Sequence, residues 1–142
     1  NNTILSGDAM GGITLWAYNS QRKLDFKAAT RTNNTLNIND TVTQSVLYAN
    51  GTRCAFTTAT TGKFSVYSIK NNTLERLFTT SSNISRFSIQ NDTVVSVNGK
   101  QLQLWRISDT NLTLLYTNTS TDAAYTAVDI SGDGRYVASG NP

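Results

Sequence analysis

Three segments of the chain share a pattern in which apolar and polar residues alternate and an aromatic residue recurs at the same place. They read ITLWAYN at residues 13–19, FSVYSIK at residues 64–70 and LQLWRIS at residues 102–108, with the aromatics Trp16, Tyr67 and Trp105. Such alternation, with aromatic and β-branched residues, is typical of a half-buried β-strand. The recurrence of the aromatic at one strand position favours a place in the core between packed sheets over an exposed stacking surface for a sugar or base.

Short polar turns connect further strand patterns around these segments. The turn residues Asn50, Asn91 and Asp133 each lie between two apolar runs, at steps of 41 and 42 residues. Asn-Gly and Asp-Gly sequences tolerate the positive φ angles that tight hairpins require. The chain therefore predicts a repeating unit of four antiparallel strands, which we name a to d, with the aromatic on strand c.

Two stretches resemble a known family. DISGDGRYVASG at residues 129–140 and ILSGDAMGGITLW at residues 4–16 are similar to the a–b hairpin and the b–c passage of the WD-repeat-like β-propeller class, in its divergent prokaryotic and archaeal form. Ala17, Ser68 and Arg106 follow the aromatics where regular WD repeats have Asp, and the chain has no His. The resemblance covers nearly the whole chain. It implies an all-β fold, a β-propeller segment made of four-stranded antiparallel blades.

The repeat divides the chain into parts of about three to four blades. The predicted parts are strands b–d of one blade at residues 1–28, an inter-blade insertion at 29–41, a second blade at 42–81, a third blade at 82–121 and strands a–b of a fourth blade at 122–142. Because strand b would occur twice if the two ends completed one blade, we expect a segment of a longer propeller. We expect Tyr136 and Val137 to contact partners outside it, which are remaining blades of the same protein or other copies or subunits.

Charge and residue types narrow the function classes. The net charge is +3 and the basic residues are scattered, which predicts no nucleic-acid partner. No apolar run approaches the roughly 18 residues of a membrane helix, which predicts no membrane insertion. Zinc sites, Ser-His-Asp triads and internal disulfides need residues that a chain with no His and one Cys lacks. Cys54 lies in an apolar strand and is predicted to be a small buried side chain.

The strongest local signal is the N-glycosylation sequon, Asn-X-Ser/Thr with X not Pro. Nine asparagines carry it, about twice the roughly four that composition predicts by chance. The predicted places are the a–b turns for Asn50 and Asn91, the c–d turns for Asn71 and Asn111, the segments between blades for Asn83 and Asn118, the insertion for Asn33 and Asn39, and the terminus for Asn1. An alternative reading is that turns favour Asn and collect sequons without modification.

The carboxylates give little support to catalysis. A glycosidase needs two carboxylates held close together, one of them in an apolar setting, and no such pair is evident. Asp129 alternates with Val128 and Ile130 on strand a and is placed to face a channel, although a solvated or capping role is more usual there. Asp8 and Asp133 lie where turn geometry alone favours Asp. We therefore expect no catalytic, cofactor-binding or metal residues.

Three hypotheses on function follow. The first is a non-catalytic, extracellular, N-glycosylated propeller that serves as a structural or adhesive module of a cell surface or filament, with covalent N-glycans and no cofactor. The second is an intracellular propeller scaffold for protein–protein binding, which the unpaired Cys allows. The third is part of a propeller enzyme whose active residues lie in other blades. Sequon density and the lack of catalytic residue types favour the first.

Overall fold

The computed structural model describes residues 2–30 and 40–142, and every regular element within them is a β-strand. The strands form four antiparallel sheets in which neighbours along the chain are also neighbours in the sheet. The described part of the chain contains no helix with the length and apolar character that crossing a bilayer requires.

The sheets follow one another in chain order. Sheet 1 contains β1 (Thr3–Gly7), β2 (Ile13–Tyr18) and β3 (Leu24–Ala29). Sheet 2 contains β4 (Val42–Tyr48), β5 (Arg53–Thr58), β6 (Phe64–Lys70) and β7 (Thr73–Thr80). Sheet 3 contains β8 (Arg86–Gln90), β9 (Thr93–Asn98), β10 (Gln101–Ile107) and β11 (Leu112–Thr119), and sheet 4 contains β12 (Ala127–Ile130) and β13 (Val137–Gly140).

Sheets 2 and 3 have the predicted four strands in the order a, b, c and d, which confirms the all-β class and its four-stranded antiparallel unit. Strand β3 ends at Ala29, one residue inside the predicted insertion, and β4 begins at Val42. Residues 31–39 of that insertion lie outside the described residues. Tyr136 and Val137 are exposed in sheet 4.

Asparagine supplies the backbone geometry of the hairpin turns. Asn50 (φ 55°) and Asn91 (φ 56°) adopt the left-handed region at a–b turns, and Asn71 (φ 51°) adopts it at a c–d turn. Asn tolerates this region better than other non-glycine residues because its short polar side chain can hydrogen-bond locally. These residues therefore help to fix where each hairpin reverses.

A β-bulge accompanies the repeated aromatic in the three described c strands. The register of the c–d pair shifts immediately before Trp16, Tyr67 and Trp105, and the extra residue lies on strand d each time. A bulge of this kind leaves one residue unpaired and increases the local twist. Because the shift recurs at the same place, the three aromatics are structurally equivalent, as the repeat predicts.

Successive sheets pack face to face through apolar side chains. Phe64 of sheet 2 meets Phe87 of sheet 3 edge to face, with ring centroids 5.1 Å apart. The buried residues of this core are Ala55, Phe64, Val66, Ile84, Phe87, Val94, Trp105 and Ile107. A smaller core between sheets 1 and 2 contains Ile13, Cys54 and Phe56.

Cys54 is fully buried in this smaller core, which confirms the sequence prediction. Burial raises the pKa of its thiol to about 12, so the thiolate is scarce at neutral pH.

The repeated aromatics differ in their burial: Trp105 is buried, whereas Trp16 and Tyr67 are half-buried.

The two indole N–H groups are satisfied within their own sheets. Trp105 Nε1 donates to Ser96 Oγ at 2.8 Å, and Trp16 Nε1 donates to Ser6 Oγ at 2.9 Å. In both sheets the serine lies on strand b, two residues beyond the partner of the tryptophan. A buried donor without an acceptor is costly, so the serine allows an aromatic with a polar edge to enter the core.

Sheet 2 fills the equivalent space without this hydrogen bond. Its aromatic is Tyr67, and Phe56 stands at the position of Ser6 and Ser96. The rings of Phe56 and Tyr67 stack with centroids 5.8 Å apart and an interplanar angle of 27°. At these equivalent positions, sheets 1 and 3 contain a tryptophan–serine pair, and sheet 2 contains a tyrosine–phenylalanine pair.

Polar side chains join the a strands of neighbouring sheets. Gln44 Oε1 accepts from Phe87 N at 2.9 Å, and Gln44 Nε2 donates to Phe87 O at 2.6 Å. Ser88 Oγ donates to Asp129 Oδ1 at 2.8 Å, which joins sheet 3 to sheet 4. Asp129 also accepts from the N–H of Ile130 at 2.9 Å. The structure thus gives Asp129 a role in holding two sheets together.

Asp40 closes the b–c turn of sheet 2. Its carboxylate accepts from the backbone N–H of Thr60 at 2.5 Å and of Thr61 at 3.2 Å, and also from the Thr61 hydroxyl. Burial opposes ionisation and by itself raises the pKa of Asp40. The hydrogen bonds from Thr61, Thr58 and Thr60 together outweigh burial and hold this pKa below its usual value.

We expect Ser96→Ala to lower the free energy of unfolding by about 1–3 kcal/mol, because the buried Trp105 N–H loses its acceptor. Ser6→Ala is the matched control, since water can replace the hydroxyl of this exposed pair and the loss should stay under about 1 kcal/mol. Urea unfolding followed by tryptophan fluorescence measures both. Equal losses would contradict the role assigned to burial.

Asp40→Asn should reduce stability in a pH-dependent way. Because the folded pKa of Asp40 is depressed, its carboxylate stabilises the fold above the unfolded value of about 3.9, and this contribution disappears as the pH falls through the folded pKa. Thermal unfolding of the wild type and the variant should therefore differ most near neutral pH and converge below about pH 4. A Tm difference that grows on acidification would rule this explanation out.

Candidate functional site

The a–b and c–d turns of each four-stranded sheet project from the same end. This follows from antiparallel pairing in the order a, b, c, d, which puts the b–c turn at the opposite end. The ends of sheets 2 and 3 are aligned, because Arg53 beside the a–b turn of sheet 2 pairs with Asp109 at the c–d turn of sheet 3. We call this end the turn face and define it by residues 49–52, 71–72, 91–92 and 108–111.

Four sequons lie on the turn face, at the places that the repeat predicts. Asn50 and Asn91 occupy a–b turns, Asn71 and Asn111 occupy c–d turns, and all four are exposed. Asn111 Oδ1 accepts from Ser108 Oγ at 3.1 Å and so helps to close its turn. These asparagines therefore stabilise their turns and are also exposed to solvent. Their modification stays a prediction.

The remaining sequons have different settings. Asn83 is exposed between β7 and β8, as predicted. The prediction that Asn118 lies between blades is wrong, because β11 keeps its pairing with β10 as far as Thr119. The physical reason is the backbone pairing of Asn118 with Leu102 and of Thr119 with Gln101, which extends the strand beyond its predicted end. Asn118 Nδ2 donates to Tyr125 Oη at 3.2 Å. The predicted sites Asn1, Asn33 and Asn39 lie outside the described residues.

A groove of about 450 Å³ separates the a–b turns of sheets 2 and 3 on the turn face. Residues 47–50 form one wall and residues 89–91 form the other. The sequons at Asn50 and Asn91 therefore lie on opposite walls. A glycan on either asparagine would project from the rim of the groove, where solvent can accommodate a bulky group.

An ion pair crosses the turn face beside these turns. Arg53 Nε and Nη2 donate to the two carboxylate oxygens of Asp109 at 2.8 Å each, which is a bidentate geometry. The hydrogen bond from Arg53 lowers the pKa of Asp109, and the same bond raises the pKa of Arg53. Burial raises the pKa of Tyr48 to about 12, and the charge of Asp109 adds to this rise. Tyr48 is therefore neutral and the ion pair is charged at neutral pH.

Arg53, Asp109 and Gln44 were not predicted from the sequence as functional residues. Arg53 and Asp109 are 56 residues apart, so their spacing carries no direct signal. Their neighbours in the sequence do carry a signal, because Arg53 follows the a–b turn of one unit and Asp109 precedes the c–d sequon of the next. Units in register bring those positions to one end of the fold. Gln44 is one of several polar residues on β4, and nothing in the sequence distinguishes it.

The turn carboxylates suggested by the sequence are engaged in local hydrogen bonds. Asp8 Oδ1 accepts from two backbone N–H groups of its turn, at 2.8 and 2.9 Å. Asp133 Oδ1 accepts from Ser131 Oγ at 2.6 Å, which lowers the pKa of Asp133, and from Arg135 N at 3.1 Å. Their predicted turn roles are confirmed. Within residues 2–30 and 40–142, no group of three His, Cys, Asp or Glu side chains could hold a metal ion.

Comparison with known proteins yields matches at the level of structure. No protein-family model and no curated protein matches the chain. A solved protein from Lactobacillus plantarum gives a TM-score of 0.74 at 13% identity, over 99% of this chain and 48% of that one. A candidate 6-phosphogluconolactonase from Bacteroides uniformis gives 0.72 at 14% identity, over 99% and 47%. The C-terminal WD40 domain of Sif2 gives 0.58 at 14% identity, over 83% and 34%.

Identities this low show a shared fold and nothing further. The chain spans about half the length of the first two proteins and about a third of the third. WD40 repeats build β-propellers in which each blade is a four-stranded sheet. Sheets 2 and 3 have that strand count and order. The comparison and the topology together show that the chain is a β-propeller segment made of four-stranded antiparallel blades.

Proposed function

We propose that the chain is a non-catalytic, extracellular, N-glycosylated β-propeller module with a structural or adhesive role at a cell surface or in a filament. One observation carries the proposal. All six sequon asparagines among the described residues are exposed, and four of them share the turn face. Glycan transfer needs an accessible asparagine amide, and a bulky sugar needs solvent around it.

The repeat adds support to the proposal. Equivalent turns of two successive blades carry sequons, at Asn50 and Asn91 and again at Asn71 and Asn111. Full modification would cover one end of both blades with sugar, while the side chains that pack the blades together would stay untouched. Such a hydrated layer suits a protein that stays exposed to its surroundings.

Asn118 would serve a separate purpose if modified. It lies on β11, the outermost strand of sheet 3. An unpaired strand edge is a template for unwanted pairing with another chain, and a bulky polar group on that strand blocks it. The hydrogen bond to Tyr125 engages Nδ2 of Asn118, the atom that accepts the sugar, so we expect Asn118 to be modified less completely than the turn asparagines.

A second candidate function is suggested by the name of one structural neighbour, the candidate 6-phosphogluconolactonase. It would make the chain part of a lactone-hydrolysing enzyme. Asp129, the carboxylate for which the sequence suggests a place facing a channel, would be its first residue to test, but its contact with Ser88 already accounts for its position. Hydrolysis of a sugar lactone by the protein that is lost in Asp129→Asn would favour this candidate over the first.

Mass spectrometry of protein from its native source tests the first proposal. Peptides that contain the turn-face sequons should be heavier than their sequence masses, and deglycosylation should remove the sugar mass. Peptide mapping should locate sugar at Asn50, Asn71, Asn91 and Asn111, with lower occupancy at Asn118. Unmodified peptides at all four of these turn sequons would overturn the proposal.

The chain provides matched controls for this measurement. Asn72 shares a turn and a positive φ with Asn71 but lacks Ser or Thr two residues later, so it should carry no sugar. Thr52→Ala removes the sequon of Asn50 without changing the asparagine, whereas Thr52→Ser retains it. In the native host, Thr52→Ala should lose one glycan mass and Thr52→Ser should lose none. Sugar on Asn72 would point to another kind of modification.

A further inference from the structure

A pocket of about 160 Å³ lies between sheets 1 and 2, at the end opposite the turn face. Gly11 and Asp40 close it from the side of sheet 1 and the linking segment, and sheet 2 supplies the rest of the lining. The sheet 2 residues share one face because they pair with one another across the strands, as Phe56 does with Ser65 and Tyr67 with Arg76. The pocket is thus a feature of one blade face.

On this face sheet 2 departs from the pattern of its neighbours. The strand d residue that pairs with the repeated aromatic is Phe26 in sheet 1 and Leu114 in sheet 3, but Arg76 in sheet 2. Tyr67 and Phe56 replace the tryptophan and serine of the other two sheets on the same face. Residues that differ from a structural repeat and lie close together in space are expected at functional sites.

Two cations of the pocket lack an anionic partner. Lys63 and Arg76 are exposed and form no ion pair with any residue that the structure describes. Residues 31–39 contain no Asp or Glu that could supply one. Burial raises the pKa of Tyr67 and the charge of Arg76 opposes that rise, so the guanidinium acts on the phenol. Both cations are therefore available to an anion in the pocket.

The carboxylate of the pocket does not neutralise these cations. Asp40 uses its oxygens to accept hydrogen bonds from Thr60 and Thr61, as described above. Lys63 and Arg76 together outweigh the single charge of Asp40, which leaves the pocket positive. An anion with no more than one or two charges fits this balance.

Hydroxyl groups stand beside the cations. Ser65 Oγ lies 3.0 Å from Thr79 Oγ1. Each hydroxyl can donate once and accept twice, so this pair keeps capacity for further hydrogen bonds. Tyr67 adds an aromatic ring with a hydroxyl at its edge. The lining therefore suits a ligand that has hydroxyl groups and an apolar face in addition to its charge.

We propose that this pocket binds a hydroxyl-bearing organic anion of the size of one sugar ring, such as a hexuronic acid. The volume of about 160 Å³ is well below that of a drug-sized site and suits a ligand of one ring. Arg76 is suited to bind the carboxylate through its planar guanidinium and Lys63 to add a second positive charge. The hydroxyls of Ser65, Thr79 and Tyr67 are placed to meet those of the sugar. The site does not depend on glycosylation of the sequons.

Calorimetric titration of the protein with glucuronate, glucose and inorganic phosphate tests the proposal. Glucuronate should bind, and both glucose and phosphate should bind at least about 10-fold more weakly, since each lacks one of the two recognised features. Arg76→Leu, which introduces the residue of sheet 3, and Lys63→Gln should each weaken glucuronate binding about 10-fold or more. Added salt should weaken it too.

Lys70→Gln is the matched control, because Lys70 is an exposed cation at the other end of β6, outside the pocket. It should leave the affinity for glucuronate unchanged. An equal loss in Lys70→Gln and Arg76→Leu would show diffuse charge attraction and overturn the site. Failure of glucuronate to bind would overturn it as well, and equal affinities for phosphate and glucuronate would overturn recognition of the sugar. Urea unfolding of each variant verifies that the fold is retained.

Discussion

Apolar packing of one blade face on the next is the interaction on which the remaining structure depends. Backbone pairing holds each sheet together but ends at its edges, so the sheets are joined mainly through side chains. The contact of Phe64 with Phe87 is central to this packing because both side chains are fully buried and come from adjacent blades. The turn face and the pocket exist only because the blades are held in this arrangement.

Polar contacts define how the packed faces are aligned. Apolar surfaces are not directional, and a face of Val, Ile and Phe can be packed at more than one offset. Gln44 meets both backbone polar groups of Phe87, and Arg53 meets both oxygens of Asp109, so each contact favours one offset. The Gln44 contact joins β4 to β8, the first strands of sheets 2 and 3, and the Arg53 contact lies on the turn face. Together they hold two neighbouring blades in register.

The strands and turns could be predicted from the sequence because their causes are local. Alternation marks the strands, and Asn at positive φ marks the turns, as Asn50 and Asn91 show. Asn118 was misplaced because the end of an edge strand depends on pairing with its neighbour, which a single segment does not reveal. The pocket was missed for a similar reason. Arg76 is distinctive only beside its counterparts Phe26 and Leu114, and that comparison needs the bulged register of strand d.

The order of the strands also bears on how the molecule assembles. Within residues 2–30 and 40–142, every pair of hydrogen-bonded strands is consecutive along the chain, so each sheet closes only short loops as it forms. Short loops lose little entropy on closure, and structures rich in local contacts tend to fold quickly. Contacts of high sequence separation are concentrated where blades meet, as with Arg53 and Asp109. Contact order is therefore low within a blade and high between blades. Formation of each sheet and packing of one sheet on the next are therefore separate steps of folding.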